Sequence, residues 1–351
     1  MSKLTEIKIR LQAPVVAFRC HSSRMVIAIL LLAGIVFGDE GLMVRRLENN
    51  PVIAPAMLPG KDGANINGPS LIRAPGWVQK PLGKYYLYFA HHGGKYIRLA
   101  YADRLEGPWK IKQGGVLLLA DCPGANGHIA SPDVIVDSDR KEVRMYFHGP
   151  AKAGGRQKSF LAVSEDGLDF KAREEILGEF YFRVFTFGGQ WYALSKRGMM
   201  YHSKDGLGSF EAGPCIFPDV QKDGGDHNGP GPRHVAVHLR DDRLDIYYSS
   251  IGDAPERILR ASAKLGEDWR AWRAGKPQEV IKPLHPWEGA DLPVKPSGAG
   301  AAQGREDALR DPAIFVDEDR KAYLLYSVAG ENGIAIAEVE FKDSANPLRQ
   351  Q

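Results

Sequence analysis

The chain has 351 residues, of which 44% are hydrophobic and 25% charged, and its formal net charge is +3. This is an ordinary globular composition with enough apolar residues for a core. There is no basic helix or long basic run, so the sequence predicts no nucleic-acid binding. Plentiful Gly (39) and Pro (23) residues favour turns over long helices.

The first 38 residues read as a leader rather than as part of the fold. The apolar run RMVIAILLLAGIVFG begins at Arg24, and Val36 and Gly38 occupy the −3 and −1 positions of a candidate cleavage site. The run is short for a membrane span. Because residues 1–24 are polar, translation could start at Met25, or the segment is a long leader or an uncleaved anchor. We expect export, to the medium or the periplasm, with no stable membrane insertion once the leader is removed.

The cysteines and short motifs of the sequence do not indicate a metal, redox or nucleotide-binding site. Cys20 lies in the leader, whereas Cys122 and Cys215 lie in loops rich in Pro and Gly. In an exported protein these two could pair or stay free. The sequence has no CxxC, HExxH or zinc spacing, and no GxGxxG or Walker loop.

From about residue 39 the chain repeats one order of short strands. Each unit opens with an apolar strand, and a second strand, a third strand and a more polar outer strand follow. The opening strands are PSLIRA from Pro69, PDVIVD from Pro132, YFRVFTF from Tyr181, RHVAVHL from Arg233 and PAIFVD from Pro312. The predicted outer strands are PWKIK, DFKARE, SFEAG and DWRAWR.

Five such units predict an all-β fold, a five-bladed β-propeller with four-stranded antiparallel blades, as a single domain over residues 39–351. A sandwich of two sheets is the alternative, but it does not explain five units in the same internal order. The fifth unit ends near Phe341 with only three strands. Since a closed ring must hide its edges, we expect residues 41–48 to supply the missing outer strand. We expect a monomer.

Two phrases are nearly the same, SPDVIVDSDRKEVRMYFHG and DPAIFVDEDRKAYLLYSVAG. A gapless alignment places Asp137 on Asp317 and Tyr146 on Tyr326. The acid next to the proline follows it in one phrase (Asp133) and precedes it in the other (Asp311). The shared DRK segments are predicted hairpin turns.

Strand direction predicts where chemistry lies. The start of each first strand and the end of each second strand share one face, so residues near each opening proline converge on an axial pocket. The carboxylates there are Asp133, Glu179 and Asp311, and Asn67 opens unit one. Glycosidases need two carboxyl groups that flank a bond, and a third can hold their pKa values apart. The structural alternative is that each one hydrogen-bonds to backbone N–H groups.

This pattern resembles glycoside hydrolase family 43 and its relatives: PD opens blade two, a Glu precedes blade three and GPG…H opens blade four. The resemblance covers most of residues 50–341. It implies an O-glycosyl hydrolase, usually inverting, that acts on arabinosides, xylosides or other glycosides. It further implies that Asp133 tunes pKa values and that Glu179 is the general acid, although EFY stands where the family has EGP.

Blade one departs from the family. Its NGPSLI has Gly68 where the resemblance implies the general base, and the neighbouring Asn67 cannot accept a proton from water. Blade five adjoins blade one in a closed ring, and its RDP carries Asp311 in the register that the family uses in blade one. We therefore expect Asp311 to be the base. The acid of one repeated segment, Asp133, would then tune pKa values, and the acid of the other, Asp311, would react.

A central cation is a further expectation. Asp226, His227 and His234 could surround a calcium ion or a water cluster near the axis, because hard cations prefer oxygen ligands. His234 resembles a family histidine of blade four near such a centre. No other cofactor is expected.

The loops between second and third strands predict a cationic mouth. Those of blades one to three carry Lys95, Lys152, Arg156, Lys158, Lys196 and Arg197 and no acid. Such a mouth favours an acidic glycan, uronate-bearing or sulfated, although a solvated rim explains the same residues. The predicted substrate-binding residues are Asn67, His91, His92, His148, Arg156, Lys196, Arg197, Trp287 and Glu331.

Two other functions stay open at this point. One is a non-catalytic propeller that binds a glycan or serves as a scaffold, because fold does not decide function. The other is a polysaccharide lyase that uses His, Arg and Tyr chemistry.

Overall fold

We describe the protein from a computed structural model, which covers residues 36–37, 41–208, 210–220 and 229–341. Asp226, His227, Cys20 and nearly all of the predicted leader lie outside this part of the chain. Within it, no helix has the length and apolar character needed to cross a membrane.

The described strands group into five antiparallel sheets, one for each predicted unit. Before the first blade come β1 (Val36–Phe37) and β2 (Leu42–Arg46). Blade one has β3 (Asn67–Arg73), β4 (Tyr85–Ala90), β5 (Tyr96–Ala102) and β6 (Lys110–Leu118). Blade two has β7 (Ala130–Asp137), β8 (Glu142–Pro150), β9 (Gln157–Ser164), β10 (Lys171–Ala172) and β11 (Gly178–Glu179), of which both β10 and β11 pair with β9. Blade three has β12 (Arg183–Phe187), β13 (Gln190–Leu194), β14 (Met199–Ser203) and β15 (Glu211–Cys215). Blade four has β16 (Gly231–Arg240), β17 (Arg243–Ile251), β18 (Ile258–Lys264) and β19 (Gln278–Ile281). Blade five has β20 (Arg310–Val316), β21 (Ala322–Ser327) and β22 (Ile334–Phe341), together with β2 and β1.

The connecting loops contain only short 3-10 helices among the described residues, at Pro55–Met57, Gly60–Ala64, Leu119–Asp121, Lys196–Gly198, Trp269–Ala271 and Pro286–Glu288. The turns predicted at the two DRK segments are confirmed, because β7 and β20 end just before them and β8 and β21 begin just after.

The five sheets close into a ring, which confirms the propeller. Each innermost strand contacts that of the next blade, and β20 returns to β3. The strand that closes the last blade is also confirmed: β2 pairs antiparallel with β22, from Leu42 opposite Phe341 to Arg46 opposite Ala337. β1 adds a short further edge from within the segment assigned to the leader.

Apolar side chains fill the spaces between neighbouring blades. Tyr88 and Phe147, for example, lie in the cluster between blades one and two, and both are almost fully buried. Burial of one such side chain contributes about 1.5–3 kcal/mol. Cys122 and Cys215 belong to two different clusters and are unpaired thiols.

The gapless alignment of the two phrases is wrong in the second strand. The hydroxyl of Tyr146 donates to Gly206 O of blade three at 2.7 Å, whereas that of Tyr326 donates to Glu288 Oε1 at 3.0 Å, on the side of blade four. The turn of blade five is one residue longer, and a one-residue shift turns a strand residue to the other face of its sheet. Tyr146 and Tyr326 therefore face opposite neighbours.

The outer strand of blade four is also misplaced by the sequence analysis. The DWRAWR segment forms a 3-10 helix, and β19 follows it. Both Trp269 and Trp272 are buried in the cluster between blades three and four, and Asp268 caps the turn by accepting a hydrogen bond from Arg270 N. Burying two indoles three residues apart favours this compact turn over an extended edge strand.

Candidate active site

The innermost strands begin with the same local distortion, at what we call the upper face of the propeller. Register shifts at the starts of β3, β7 and β20 accompany a left-handed backbone at Gly68 (φ 60°), Ser131 (φ 45°) and Asp311 (φ 48°). Tyr181, just before β12, has φ 67°. Such bulges re-aim side chains next to functional sites. Asp311 therefore occupies the position in blade five that Gly68 holds in blade one.

Gly68 has no room for a side chain. A Cβ atom there would lie 2.8 Å from Ser131 Cα, and the left-handed backbone adds strain for any other residue. Blade one thus cannot supply a base at this position in the conformation seen.

We expect Gly68→Ala to lower the free energy of unfolding by about 1–3 kcal/mol, because an L-residue is forced into strained backbone against Ser131. Urea unfolding measures the loss. Gly76→Ala is the matched control, since a Cβ at Gly76 meets nothing within 4 Å. Equal stability of the two variants would contradict this account of Gly68.

Asp311 and His234 lie together at the upper face. Asp311 is fully buried, its Oδ1 contacts Nδ1 of His234, and its Oδ2 accepts a hydrogen bond from Ser327 Oγ at 3.2 Å. Burial and the charges of Arg233 and its neighbours hold the pKa of His234 well below the usual histidine value. A neutral imidazole therefore packs against the predicted base.

Tyr181 is a site residue that the sequence analysis missed. Its ring lies between the imidazoles of His148 and His234, with centroids 4.2 and 3.8 Å away. Contacts thus run from blade two to blade five through His148, Tyr181, His234 and Asp311, which we call the axial cluster. Burial lowers the pKa of His148 and raises that of Tyr181, so both are neutral near pH 7.

Glu331, predicted to bind substrate, is buried within an amide cluster of blade one. Its Oε2 accepts hydrogen bonds from Asn65 Nδ2 and, at 3.2 Å, from Asn67 Nδ2, and His92 Nδ1 lies 3.6 Å from its Oε1. Burial opposes its ionisation, but His92, Asn65 and the charge of Arg310 lower its pKa below the usual value. The structure therefore brings Asn67, His92 and Glu331 together.

Glu256 forms a second buried anion beside this cluster. Its two oxygens accept hydrogen bonds from Arg233 Nε and Arg310 Nε, both at 2.8 Å, and from Ser249 Oγ at 2.8 Å. Arg310 also pairs with Glu306. Glu256 therefore fixes two arginines, one from blade four and one from blade five.

Glu179, the predicted acid, lies at the end of β11 with about a third of its side chain exposed. Its carboxylate pairs with Lys158 Nζ. Its backbone is held by Ser159 Oγ, which donates to Glu179 O at 2.7 Å, and by Tyr201 Oη, which accepts from Glu179 N at 3.2 Å. The backbone is thus fixed, and the side chain reaches water.

Asp133, the predicted tuning residue, joins two blades. Its Oδ2 accepts a hydrogen bond from Val184 N at 2.7 Å, just as Ser70 Oγ accepts one from Val134 N at 2.9 Å one blade earlier. Burial raises the pKa of Asp133, and the charge of Arg183 and the bond from Val184 oppose this rise. Asp133 therefore makes the hydrogen bond to a backbone N–H that a purely structural role predicts, and its pKa is also raised.

The cationic mouth is weaker than the sequence predicts. Lys196 and Arg197 are buried, and Arg197 donates to the carbonyls of Gly229 and Pro230, both at 3.1 Å. These contacts remove Arg197 from the mouth, and Lys158 is paired with Glu179. Arg156 is exposed.

Two predicted substrate residues have local partners. His91 Nδ1 accepts a hydrogen bond from Gly93 N at 3.0 Å within its own loop. Trp287 stacks on His285, with centroids 5.3 Å apart, and packs against the cluster between blades four and five.

The described residues do not fit a calcium ion. No group of three or more His, Cys, Asp or Glu residues in the described part of the chain could hold a metal. Nδ1 of His234 faces Asp311, and the positive charges of Arg233, Lys196 and Arg183 act on the same imidazole. Asp226 and His227 lie outside the described residues.

We therefore expect a chelator to leave the melting temperature unchanged, because nearby cations oppose a divalent ion at this point. Thermal unfolding with excess EDTA, and then with added calcium, measures this. A fall in melting temperature with EDTA that calcium reverses would contradict it.

One curated protein is similar to this chain along most of its length. No family model matches the chain. The uncharacterized protein R118 of Acanthamoeba polyphaga mimivirus is 36% identical over 323 residues, which cover 85% of this chain and 90% of that protein.

Solved structures of glycoside hydrolase family 43 share the fold. A β-xylosidase/α-arabinofuranosidase from a compost microbial metagenome, solved with xylotriose in a calcium-free form, has a TM-score of 0.56 and 15% identity over 85% of this chain and 94% of that one. A thermostable family 43 enzyme has a TM-score of 0.54 and 16% identity over 80% and 91%. The chain has the five-bladed β-propeller fold of the family 43 enzymes, and it belongs to one family with the mimivirus protein R118.

Proposed function

We propose that the protein is a glycoside hydrolase that cleaves an O-glycosyl bond of an oligo- or polysaccharide at the upper face of the propeller. The observation that carries the proposal is a fold shared with family 43 enzymes together with three carboxyl groups. Asp133 and Asp311 lie near the starts of the innermost strands of blades two and five, and Glu179 lies in the edge strand β11 just before blade three. Asp133, Glu179 and Asp311 come from three separate strands, β7, β11 and β20. A likeness in fold supports the reaction class without naming the sugar.

In this proposal the mechanism is inverting acid–base catalysis. Glu179 protonates the leaving oxygen, and Asp311 provides the negative charge on the side where water attacks. Asp133 is the third carboxyl group, to which we assign the tuning role. Because Glu179 pairs with Lys158, a bound substrate must displace Lys158 before its leaving oxygen can approach the acid.

Activity screening on a panel of neutral and acidic glycans tests the proposal, with Asp133→Asn as the variant. We expect at least one glycan to release reducing sugar, and Asp133→Asn to lower that rate while the protein stays folded. A parent protein that binds a glycan tightly and releases no sugar would favour the non-catalytic alternative.

One observation favours a second candidate, a polysaccharide lyase. Tyr181 packs between two neutral imidazoles, and Tyr and His side chains serve as base and acid in proton abstraction next to a carboxylate. A lyase would leave a conjugated unsaturated uronate at the new chain end. Ultraviolet absorbance of the products distinguishes this reaction from hydrolysis.

The preferred substrate in this proposal is an acidic glycan. Lys152 and Arg156 are the exposed cations in the rim loop of blade two. We expect Lys152→Gln/Arg156→Gln to lower turnover of a uronate-bearing glycan, because fewer cations attract it, and we expect about 0.5 M salt to do the same by screening. Initial rates at low and high salt measure both effects. Salt-independent cleavage of a neutral arabinoside, equal in parent and variant, would exclude this preference.

Export and a monomeric state belong to the same proposal. N-terminal sequencing of the mature protein from the culture medium or periplasm, and light scattering of the purified protein, test them. An intact N-terminus in the cytosolic fraction or a larger mass would contradict them.

A further inference from the structure

The proposed base, Asp311, is shut off from water. The residue has no exposed surface, and its Oδ1 is closed to solvent. Its Oδ2 is occupied by Ser327 Oγ at 3.2 Å. A general base must lie within hydrogen-bond reach of the proton that it takes, directly or through one other group. A group between Asp311 and the pocket is therefore needed.

His234 is in that position. Its Nδ1 contacts Asp311 Oδ1, and its side chain keeps about 7% of its surface exposed. Within the described residues, Nε2 of His234 has no hydrogen-bond partner and is not among the buried nitrogens that are closed to solvent. Of the Asp311–His234 pair, the imidazole is the member that reaches water.

The contact with Asp311 also sets the proton on His234. With the Asp311 carboxylate as the acceptor at this contact, the hydrogen would lie on Nδ1 and the lone pair on Nε2. The ring cannot turn easily, because Tyr181 packs against it on one side. The charged or titratable groups that act on it are Asp311, Arg183, Arg233, Lys196, His148 and Tyr181.

We propose that His234 is the group that takes the proton from the attacking water and that Asp311 is a positioning residue that acts through it. This inference rests on the proposed hydrolase function. One O–H bond of water breaks and its proton moves to Nε2, while the water oxygen bonds to the anomeric carbon. The bond to the leaving oxygen breaks, and that oxygen takes the proton of Glu179. The carboxylate of Asp311 stabilises the imidazolium that forms. The pair would replace the carboxylate that Gly68 cannot provide.

Chemical rescue tests the assignment. His234→Ala should lower kcat by about 10²- to 10⁴-fold, because the general base is lost. Added imidazole should raise the kcat of this variant by at least about tenfold, because a free base can fill the space. Formate should restore nothing in the double variant Asp311→Ala/His234→Ala, since a carboxylate at position 311 has no access to the attacking water and can act only through His234. His202→Ala is the matched control and should behave like the parent, because the His202 imidazole lies on the third strand of blade three and bonds to Gln190 at 3.1 Å. Circular dichroism confirms that each variant is folded.

Two results would overturn the inference. One is a His234→Ala variant within about threefold of the parent kcat. The other is formate restoring activity to the double variant Asp311→Ala/His234→Ala, because a carboxylate would then act without the imidazole. If imidazole does not restore His234→Ala, the loss in the double variant decides: a loss equal to either single loss supports one coupled pair, and a summed loss overturns it.

The same assay separates this inference from the function on which it rests. A parent that releases sugar, a Glu179→Gln variant that does not and a His234→Ala variant that does would reject the role of His234 alone. A parent inactive on every glycan would reject the proposed function itself.

Discussion

Glu179→Gln is expected to lower kcat on an oligosaccharide with a poor leaving group by about 10²- to 10⁴-fold. An amide cannot donate the proton that the leaving oxygen needs. An activated aryl glycoside leaves without protonation, so the same variant should lose much less on that substrate. Steady-state rates on the two substrates measure the difference.

The matched control is Glu165→Gln, an exposed glutamate in the turn after β9. It should retain parental rates on both substrates. Equal losses of Glu179→Gln on the natural and the aryl glycoside would show that Glu179 supports binding or folding and is not the acid. In that case the role of Glu179 would be limited to its ion pair with Lys158.

Glu256→Gln is expected to have the largest effect on stability, a loss of about 3–5 kcal/mol in the free energy of unfolding. The carboxylate is fully buried and compensates both Arg233 and Arg310 at 2.8 Å. The substitution leaves the buried Arg233 without its carboxylate partner and leaves Arg310 with Glu306 and, at 3.7 Å, Glu331. Urea unfolding of the folded variant measures the change.

Glu211→Gln is the control for this prediction, because Glu211 pairs with Arg270 on the surface, with about half of each side chain exposed. Such pairs contribute about 0–1 kcal/mol. Similar losses in the two glutamine variants would show that the buried network adds no more than a surface pair.

The propeller was predictable because its signals are local and repeated. The periodicity of the sequence was enough to predict five strand units in one order. The rule that sheet edges are covered was enough to predict that residues 41–48 complete blade five. Register was harder, because a one-residue difference in a turn reverses the face of a strand. Tyr146 and Tyr326 look equivalent in the sequence and face opposite blades.

The site was predictable only in part. Asp311 and His234 were both singled out, but their contact depends on two blades whose residues are 77 positions apart in the chain. The sequence did not indicate that Tyr181 is a site residue. Its left-handed backbone is visible only in the structure, and in the sequence it looks like one more aromatic strand residue. Arg197 looked like a rim charge in the sequence, and only the folded loops show that the carbonyls of Gly229 and Pro230 hold it.

The most direct test of the proposed reaction is cleavage of the glycan identified by the panel in water labelled with heavy oxygen, followed by mass spectrometry. Hydrolysis predicts that each new reducing end carries one heavy oxygen, and that Glu179→Gln slows its appearance. Unlabelled products with an unsaturated end, or no products from any glycan, would contradict the account.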